Sequence, residues 1–179
     1  GEMNAGKTAL ANALVGEPLL PESALGNTRT VTILSDARAP EVHATADGRR
    51  RRLDAAGLVA AASATLERLE IGLPLPRLET YDLVDTPAIA SIDDQPDITL
   101  STRDLPVWCT RAGQAWKDSE RRLWRSLPQR LKHRSVLAVT NADVLRDVAS
   151  LEKVRARLIA ETDGLFSAIV FTGKRRDDG

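Results

Sequence analysis

Disulfides, imidazole chemistry, aromatic surfaces and excess charge are all scarce in this sequence, and each shortage closes off a class of function. A single cysteine, Cys109, among 179 residues rules out a disulfide framework and cysteine-based zinc spacing. A reducing cytoplasm is then the expected compartment. Alone, Cys109 reads as a small core residue rather than a nucleophile. The histidines, His43 and His133, lie far apart with no obvious acid partner and read as structural or exposed. Aromatic residues make up only 3% of the chain, and Trp116 and Trp124 share a helical stripe that reads as core rather than as a base-stacking platform. Lys+Arg and Asp+Glu both number 25, which removes the electrostatic case for dedicated nucleic-acid binding. No apolar run approaches a membrane span, and no signal-peptide pattern is legible. An initiator methionine and internal repeats are missing as well. The length fits one domain with a real core.

What is present begins at the first residue. Gly1-Glu2-Met3-Asn4-Ala5-Gly6-Lys7-Thr8 matches the phosphate-cradling pattern G-x-x-x-x-G-K-[ST] at every defined position. Gly1 and Gly6 let the backbone curl so that successive N–H groups form an anion-binding nest, to which Asn4, Ala5 and Ala9 also belong. Lys7 can reach the β- and γ-phosphates as a compact charge, and the Thr8 hydroxyl can ligate Mg²⁺. Residues 8–15 then read as a helix with Ala9, Leu10, Ala13 and Leu14 on one side and its positive end toward the phosphates. Such a loop normally follows a buried strand. None precedes Gly1, so a fragment missing its first core strand is expected.

Residues 16–18 end that helix, and 19–27 read as a loop. Alternating β-branched residues predict a strand over 28–34, and another over 41–45 ends at the turn dipeptide Asp47-Gly48. The basic run 49–52 reads first as solvated surface, with a lipid- or partner-facing patch as the alternative. Asp54 is a candidate N-cap for a helix to about residue 70, with Leu58, Ala61, Ala62, Leu66 and Leu69 at helical spacing. Two prolines make 71–76 an expected edge segment. A strand over 79–85 ends in Asp85-Thr86-Pro87-Ala88, and the polar, acidic stretch 88–103 reads as a mobile loop. Residues 105–110 suggest a core strand despite Pro106. Trp116, Leu123, Trp124, Leu127 and Leu131 share a helical face interrupted by Pro128. The apolar run 135–140 predicts a strand buried on both faces that delivers Asn141-Ala142-Asp143. Leu151, Val154, Leu158 and Ile159 mark a helix closed near Gly164, and 168–172 is the last strand. Strands alternating with helices predict an α/β sheet with ligands at the strands' carboxyl ends.

Three later sites join the first eight residues. Asp85 ends a strand, where its carboxylate can hold Mg²⁺ through water while the N–H groups that follow meet a γ-phosphate. Asp143 ends another, where a carboxylate can accept from both N–H donors on guanine's edge. Thr28 can offer Mg²⁺ a hydroxyl that is in place only with a triphosphate bound. The order P-loop, threonine, DTP, TxAD and Thr172-Gly173-Lys174 resembles that of GTPase domains. In detail the chain resembles the dynamin-like GTPases, through GEMNAGKTALANALVGE, TRTVT, LPLPRLETYDLVDTP and LAVTNAD.

The resemblance implies a P-loop NTPase three-layer α/β/α sandwich with a mostly parallel sheet, residues 1–179 forming one GTPase domain truncated at both ends. It implies Gly1, Gly6, Lys7 and Thr8 on phosphate and Mg²⁺, and Thr28 as the first-switch threonine, with Thr30 as fallback. Asp85 would be the second-switch aspartate. Asp143 would select guanine beside Asn141, with the backbone around Gly173 and Lys174 touching the base. Three positions depart from the family. Ala88 replaces the glycine of DTPG and loses its conformational freedom. Asn141 replaces a lysine whose alkyl stem covers the base, and Met3 stands where dynamins carry a catalytic glutamine. Asn4, however, is similar to the Asn of Era-type and tRNA-modifying GTPases, which helps hold a K⁺. The implied function is Mg²⁺-dependent GTP hydrolysis with Lys7, Asn4 and Thr28 in catalytic roles. It would be coupled to homodimerisation through the nucleotide face, or to membrane remodelling by a peripheral protein through regions outside these residues. The alternative is a nucleotide-gated module that binds GTP and scarcely hydrolyses it. A small-molecule kinase would need an acceptor site and a lid, and neither is legible.

Overall fold

The structure is a computed structural model that describes residues 1–20, 30–54, 57, 66–89, 101, 103–132, 134–145 and 147–173. It divides into two compact units, one of Gly1–Gly6 with Ile89–Gly179 and one of Lys7–Ala88.

In the unit Lys7–Ala88, an Ala- and Leu-rich segment forms helix α1, Lys7–Val15. Gly16 ends it with φ +93°, a left-handed geometry that glycine adopts without a steric penalty. The guanidinium of Arg77 takes up the orphan carbonyl of Leu14 at 2.9 Å. The expected apolar face is not the buried one: Ala11, Asn12 and Val15 face inward, while Ala13 and Leu14 are exposed. A polar residue moves the face. Asn12 is buried because its carboxamide donates to the Leu20 carbonyl and accepts from the Leu20 N–H, each at 2.8 Å.

Five strands follow: β1 Val31–Asp36, β2 Glu41–Ala46, β3 Arg49–Leu53, β4 Arg68–Leu73 and β5 Leu83–Asp85. They form one sheet in the order β3-β2-β4-β1-β5, parallel between β1 and β4 and antiparallel elsewhere. Asp47 and Gly48, at φ +48° and +69°, make the tight turn between β2 and β3. Asp54 accepts from the Gly57 N–H at 2.7 Å, as a cap would. The expected helix does not reach residue 70, however, because β4 begins at Arg68. Leu69, Ile71 and Leu73 alternate, and period two overrides the helical spacing of Leu66 and Leu69. Leu58, Ala61 and Ala62 lie outside the described residues. Nor is 71–76 an edge. β4 sits inside the sheet, and Pro74 and Pro76 come after its last rung, where they cost no ladder bond. Of the expected 79–85 strand only Leu83–Asp85 forms β5, and Glu79 closes a 3₁₀ turn, Pro76–Glu79. The basic run is most of β3, and its four arginines are exposed, as a solvated surface would be.

In the other unit, β6 Val107–Arg111, β7 Val136–Thr140 and β8 Ala168–Phe171 form an all-parallel sheet with β7 in the middle. Leu137, Ala138 and Val139 are wholly buried, as the apolar run predicts. Pro106 sits just before β6, and its carbonyl accepts from the Val136 N–H at 2.9 Å. Helices α2 Asp118–Ser126 and α3 Gln129–Lys132 are parted at Pro128, and α4 Val148–Glu161 is capped by Asp147, which accepts from the Ser150 N–H at 2.7 Å. The tryptophan stripe is core. Trp108 meets Trp124 edge-on at 5.4 Å and Trp116 meets Phe166 at 5.3 Å, contacts worth about 0.5–1.5 kcal/mol each beyond their burial. Trp116 is not itself helical. It precedes α2 at φ +59°, held by its N–H on the Thr110 hydroxyl and its carbonyl on Arg121. Leu158 is buried on α4 but Ile159 is exposed, against expectation. Cys109 is buried on β6 as expected, and His133 is outside the described residues. The chain is therefore α/β, with one mixed and one parallel sheet. No helix among the described residues is long and apolar enough to cross a membrane.

Candidate functional site

The P-loop is divided between the two units at Gly6-Lys7. On the side of Gly1–Gly6, Asn4 and Gly6 take left-handed backbones at φ +58° and +75°, the alternation that turns successive N–H groups toward one point. The loop is seated by contact. A Cβ at Gly1 would collide with the Cys109 carbonyl on β6, and one at Gly6 would lie 2.9 Å from the Thr140 hydroxyl. Packing therefore requires glycine at both positions, and at Gly6 the left-handed φ requires it as well. Thr140, at the end of β7, donates to the Ala5 carbonyl at 2.9 Å. Met3 and Asn4 are exposed.

One ion pair that the sequence reading did not anticipate holds the same loop, and a buried carboxylate braces its partner. Glu2 pairs with Lys117 at 2.7 Å. Burial pushes the Glu2 carboxyl up, but Lys117 and Ser119 outweigh it and leave the group below its usual value. Glu120 is buried and accepts from the Thr110 hydroxyl at 2.8 Å and the Lys117 N–H at 3.3 Å. Burial raises its pKa and the Thr110 hydroxyl only partly offsets this. The spacing Lys117-x-x-Glu120, a variant of the helix-capping pattern, was the one sequence signal available.

The guanine candidates also meet in this unit. The Ala142 N–H donates to the Thr172 carbonyl and the Thr172 N–H to the Val139 carbonyl, each at 2.8 Å. A Cβ at Gly173 would lie 2.8 Å from both the Asp143 nitrogen and Oδ1, so only glycine fits there. Asn141, at φ +53°, makes the turn that swings Asp143 beside Gly173. Lys174 lies outside the described residues.

On the side of Lys7–Ala88, Lys7 and Thr8 open α1, with Ala9 exposed behind them. The Thr8 hydroxyl donates to Asp85 Oδ2 at 2.7 Å. Burial raises the Asp85 pKa, and the Thr8 hydroxyl, the Lys7 charge and the Thr86 N–H act against it. A hydroxyl and a carboxylate at this distance form a hard-oxygen pair suited to Mg²⁺, an ion that takes one or two protein ligands and fills its shell with phosphate and water. Among the described residues no group of three His, Cys, Asp or Glu side chains competes as a metal site. Thr28 lies outside the described residues. Thr30 is described, and its hydroxyl donates to the Leu66 carbonyl at 2.9 Å, a structural use.

A surface depression of about 480 Å³, lined by Gln114, Ala115, Trp116, Lys117, Asp118, Arg121 and Arg157, holds none of the candidate residues. Its cations are already matched, Lys117 by Glu2, Arg121 by Asp118 and Glu161, and Arg157 by Glu161. It offers phosphate no spare charge.

Residues 1–143 match the family model described as the dynamin family. A comparison with curated proteins gives no match. Among solved structures, one described as "An oligomerised bacterial dynamin pair provides a mechanism for the long-range sensing and tethering of membranes" superposes with a TM-score of 0.69 at 20% identity, covering 100% of this chain. A second of the same description gives a TM-score of 0.67 at 21% identity and covers 99% of this chain. The chain spans 30% of the length of each.

Proposed function

The chain belongs to the dynamin family, and from that membership we propose that residues 1–179 form a domain that binds GTP and hydrolyses it with Mg²⁺. The observation that carries the reading is Asp85 set 2.7 Å from Thr8, two oxygen ligands beside the P-loop lysine. Lys7 supplies positive charge to the terminal phosphates, and the Gly1–Gly6 backbone supplies N–H donors. Thr8 and Asp85 would hold Mg²⁺, which would supply positive charge to offset the charge that develops on the phosphates. Asp143 accepts from guanine's two edge donors, Gly173 admits the base by lacking a side chain, and Thr28 closes the first switch. Asn141 does not cover the base with an alkyl stem, so affinity is modest. Met3 is 55% exposed and carries no group that orients water. Asn4 is exposed, and its carboxamide oxygen is of the kind that could serve a K⁺ near the leaving phosphate. The oligomerised bacterial dynamins support extending the proposal to self-association through the nucleotide face and to peripheral work at membranes by the whole protein.

Met3, Ala88 and Asn141 favour a second reading, a GTP-gated interaction module with little turnover. A GTPase assay in KCl, NaCl and a larger organic cation at matched ionic strength, repeated with Asn4→Ala, separates the two. Turnover that requires K⁺ and falls with Asn4→Ala is the expected result. Turnover indifferent to both removes Asn4 from catalysis, and no turnover in any salt with GTP still bound establishes the second reading.

A further inference from the structure

The basic run 49–52 takes no part in the nucleotide reading. It forms β3, the outermost strand of the five-stranded sheet, paired with β2 on one side and with no described strand on the other. All four arginines are exposed. The register sets Arg49 and Arg51 opposite Ala46 and Ala44, and Arg50 and Arg52 opposite Thr45 and His43. Successive strand side chains point to opposite faces, so guanidinium groups flank the free edge on both faces of the sheet. Glu70 engages Arg50 at 2.7 Å. No ion pair is recorded for Arg49, Arg51 or Arg52 among the described residues.

We propose that the outer edge of β3, which no described strand pairs, receives an acidic extended segment of a partner protein, added as a sixth strand. An unpaired edge presents a row of backbone N–H and C=O groups, whose natural complement is another backbone. Side chains on both faces then meet cross-strand neighbours at about 4.5–5.5 Å, and guanidinium groups bind carboxylates in a bidentate fork. Charge selects the occupant. A second copy adding β3 to β3 would set arginine against arginine, which is repulsive. A flat anionic bilayer would meet one face only and leave the backbone edge unused. The charge that keeps like strands off this edge is what admits an acidic one.

This inference does not depend on the nucleotide reading, and its failure would leave that reading untouched. The test uses a short labelled peptide of Thr and Val around a run of Glu, a second peptide of equal charge interrupted by proline, and phosphatidylserine–phosphatidylcholine vesicles. Binding is read by anisotropy, and strand addition by hydrogen exchange of the β3 amides in the unaltered protein. The acidic peptide should bind and protect the β3 amides, and the proline peptide should bind roughly tenfold or more weakly for want of ladder bonds. Arg49→Gln with Arg51→Gln, and separately Arg50→Gln with Arg52→Gln, should each weaken binding, since each strips one face, while circular dichroism confirms the fold. Equal binding of both peptides, or no protection of β3, overturns the proposal. So does vesicle binding that depends on one arginine pair alone.

Discussion

The two carboxylates assigned to the nucleotide, Asp143 and Asp85, are held in place in different ways. Asp143 follows β7, the buried middle strand of an all-parallel sheet, and its turn is bonded through backbone groups to Thr172. Asp85 ends β5, a three-residue edge strand antiparallel to β1, and is held by the Thr8 hydroxyl. The base-side turn is thus bonded through backbone groups of the parallel sheet, while the metal-side carboxylate is bonded by the Thr8 hydroxyl together with the Thr86 N–H. On the proposed reading, a station that need not move is bonded through backbone, whereas one that would answer a metal and a γ-phosphate includes a hydroxyl that can exchange partners.

The largest expected effect separates binding from folding. Lys7→Ala should abolish triphosphate binding, measured by fluorescence titration, because it removes the mobile charge from a site built for several negative charges. The side chain is not part of either core, so circular dichroism should show the fold retained. Unchanged GTP affinity would show that the P-loop assignment is wrong.

Next come the two cores. Leu137 and Leu34 are both wholly buried, Leu137 among the three tryptophans and Phe166, Leu34 in a smaller aliphatic cluster. Leu137→Ala should cost toward the upper end of about 2–5 kcal/mol by denaturant unfolding, because rigid rings cannot close over the cavity. Leu34→Ala should fall toward the lower end. A reversed order would mean that the tryptophan core relaxes more easily than the aliphatic one.

The smallest effect is a pH dependence on the base side. Burial raises the Glu120 pKa above its ordinary value of 4.5, so the folded protein binds a proton that the unfolded chain releases. Stability from this group is therefore full below about pH 4.5 and declines as pH rises toward the elevated folded value. Glu120→Gln keeps an oxygen to accept from Thr110 and Lys117 without the charge. It should flatten the decline and be the more stable form at neutral pH. Parallel stability profiles for the two proteins would mean that Glu120 is not strained by burial.

The sequence showed these regions unequally. The apolar run at β7 and the helix of Leu151, Val154 and Leu158 were legible, because a buried element must be written in buried residues. The β3–β4 region was not. Four arginines do not look like a strand, since edge strands are specified by pairing rather than by burial, and Leu66 and Leu69 satisfied a helical spacing that β4 overrode. Asn12 misdirected the face of α1 for a related reason: its burial is secured by two bonds to Leu20, which no hydrophobic period encodes. Within the candidate site the motif residues were legible one by one. Their supports were not, because Thr140 under Ala5 and Glu2 against Lys117 join positions more than a hundred residues apart.

Guanine selectivity through Asp143 is the central claim, and calorimetry of the protein against GTP, GDP, ATP and ADP tests it most directly. A carboxylate beside Gly173 can pair with guanine's N1–H and N2–H₂, and adenine presents no such pair of donors. Losing a charge-assisted pair costs about 1.5–3 kcal/mol, so Asp143→Asn should weaken GTP roughly tenfold or more. GTP and GDP should bind while ATP and ADP do not. Equal binding of GTP and ATP by the unaltered protein would contradict the account.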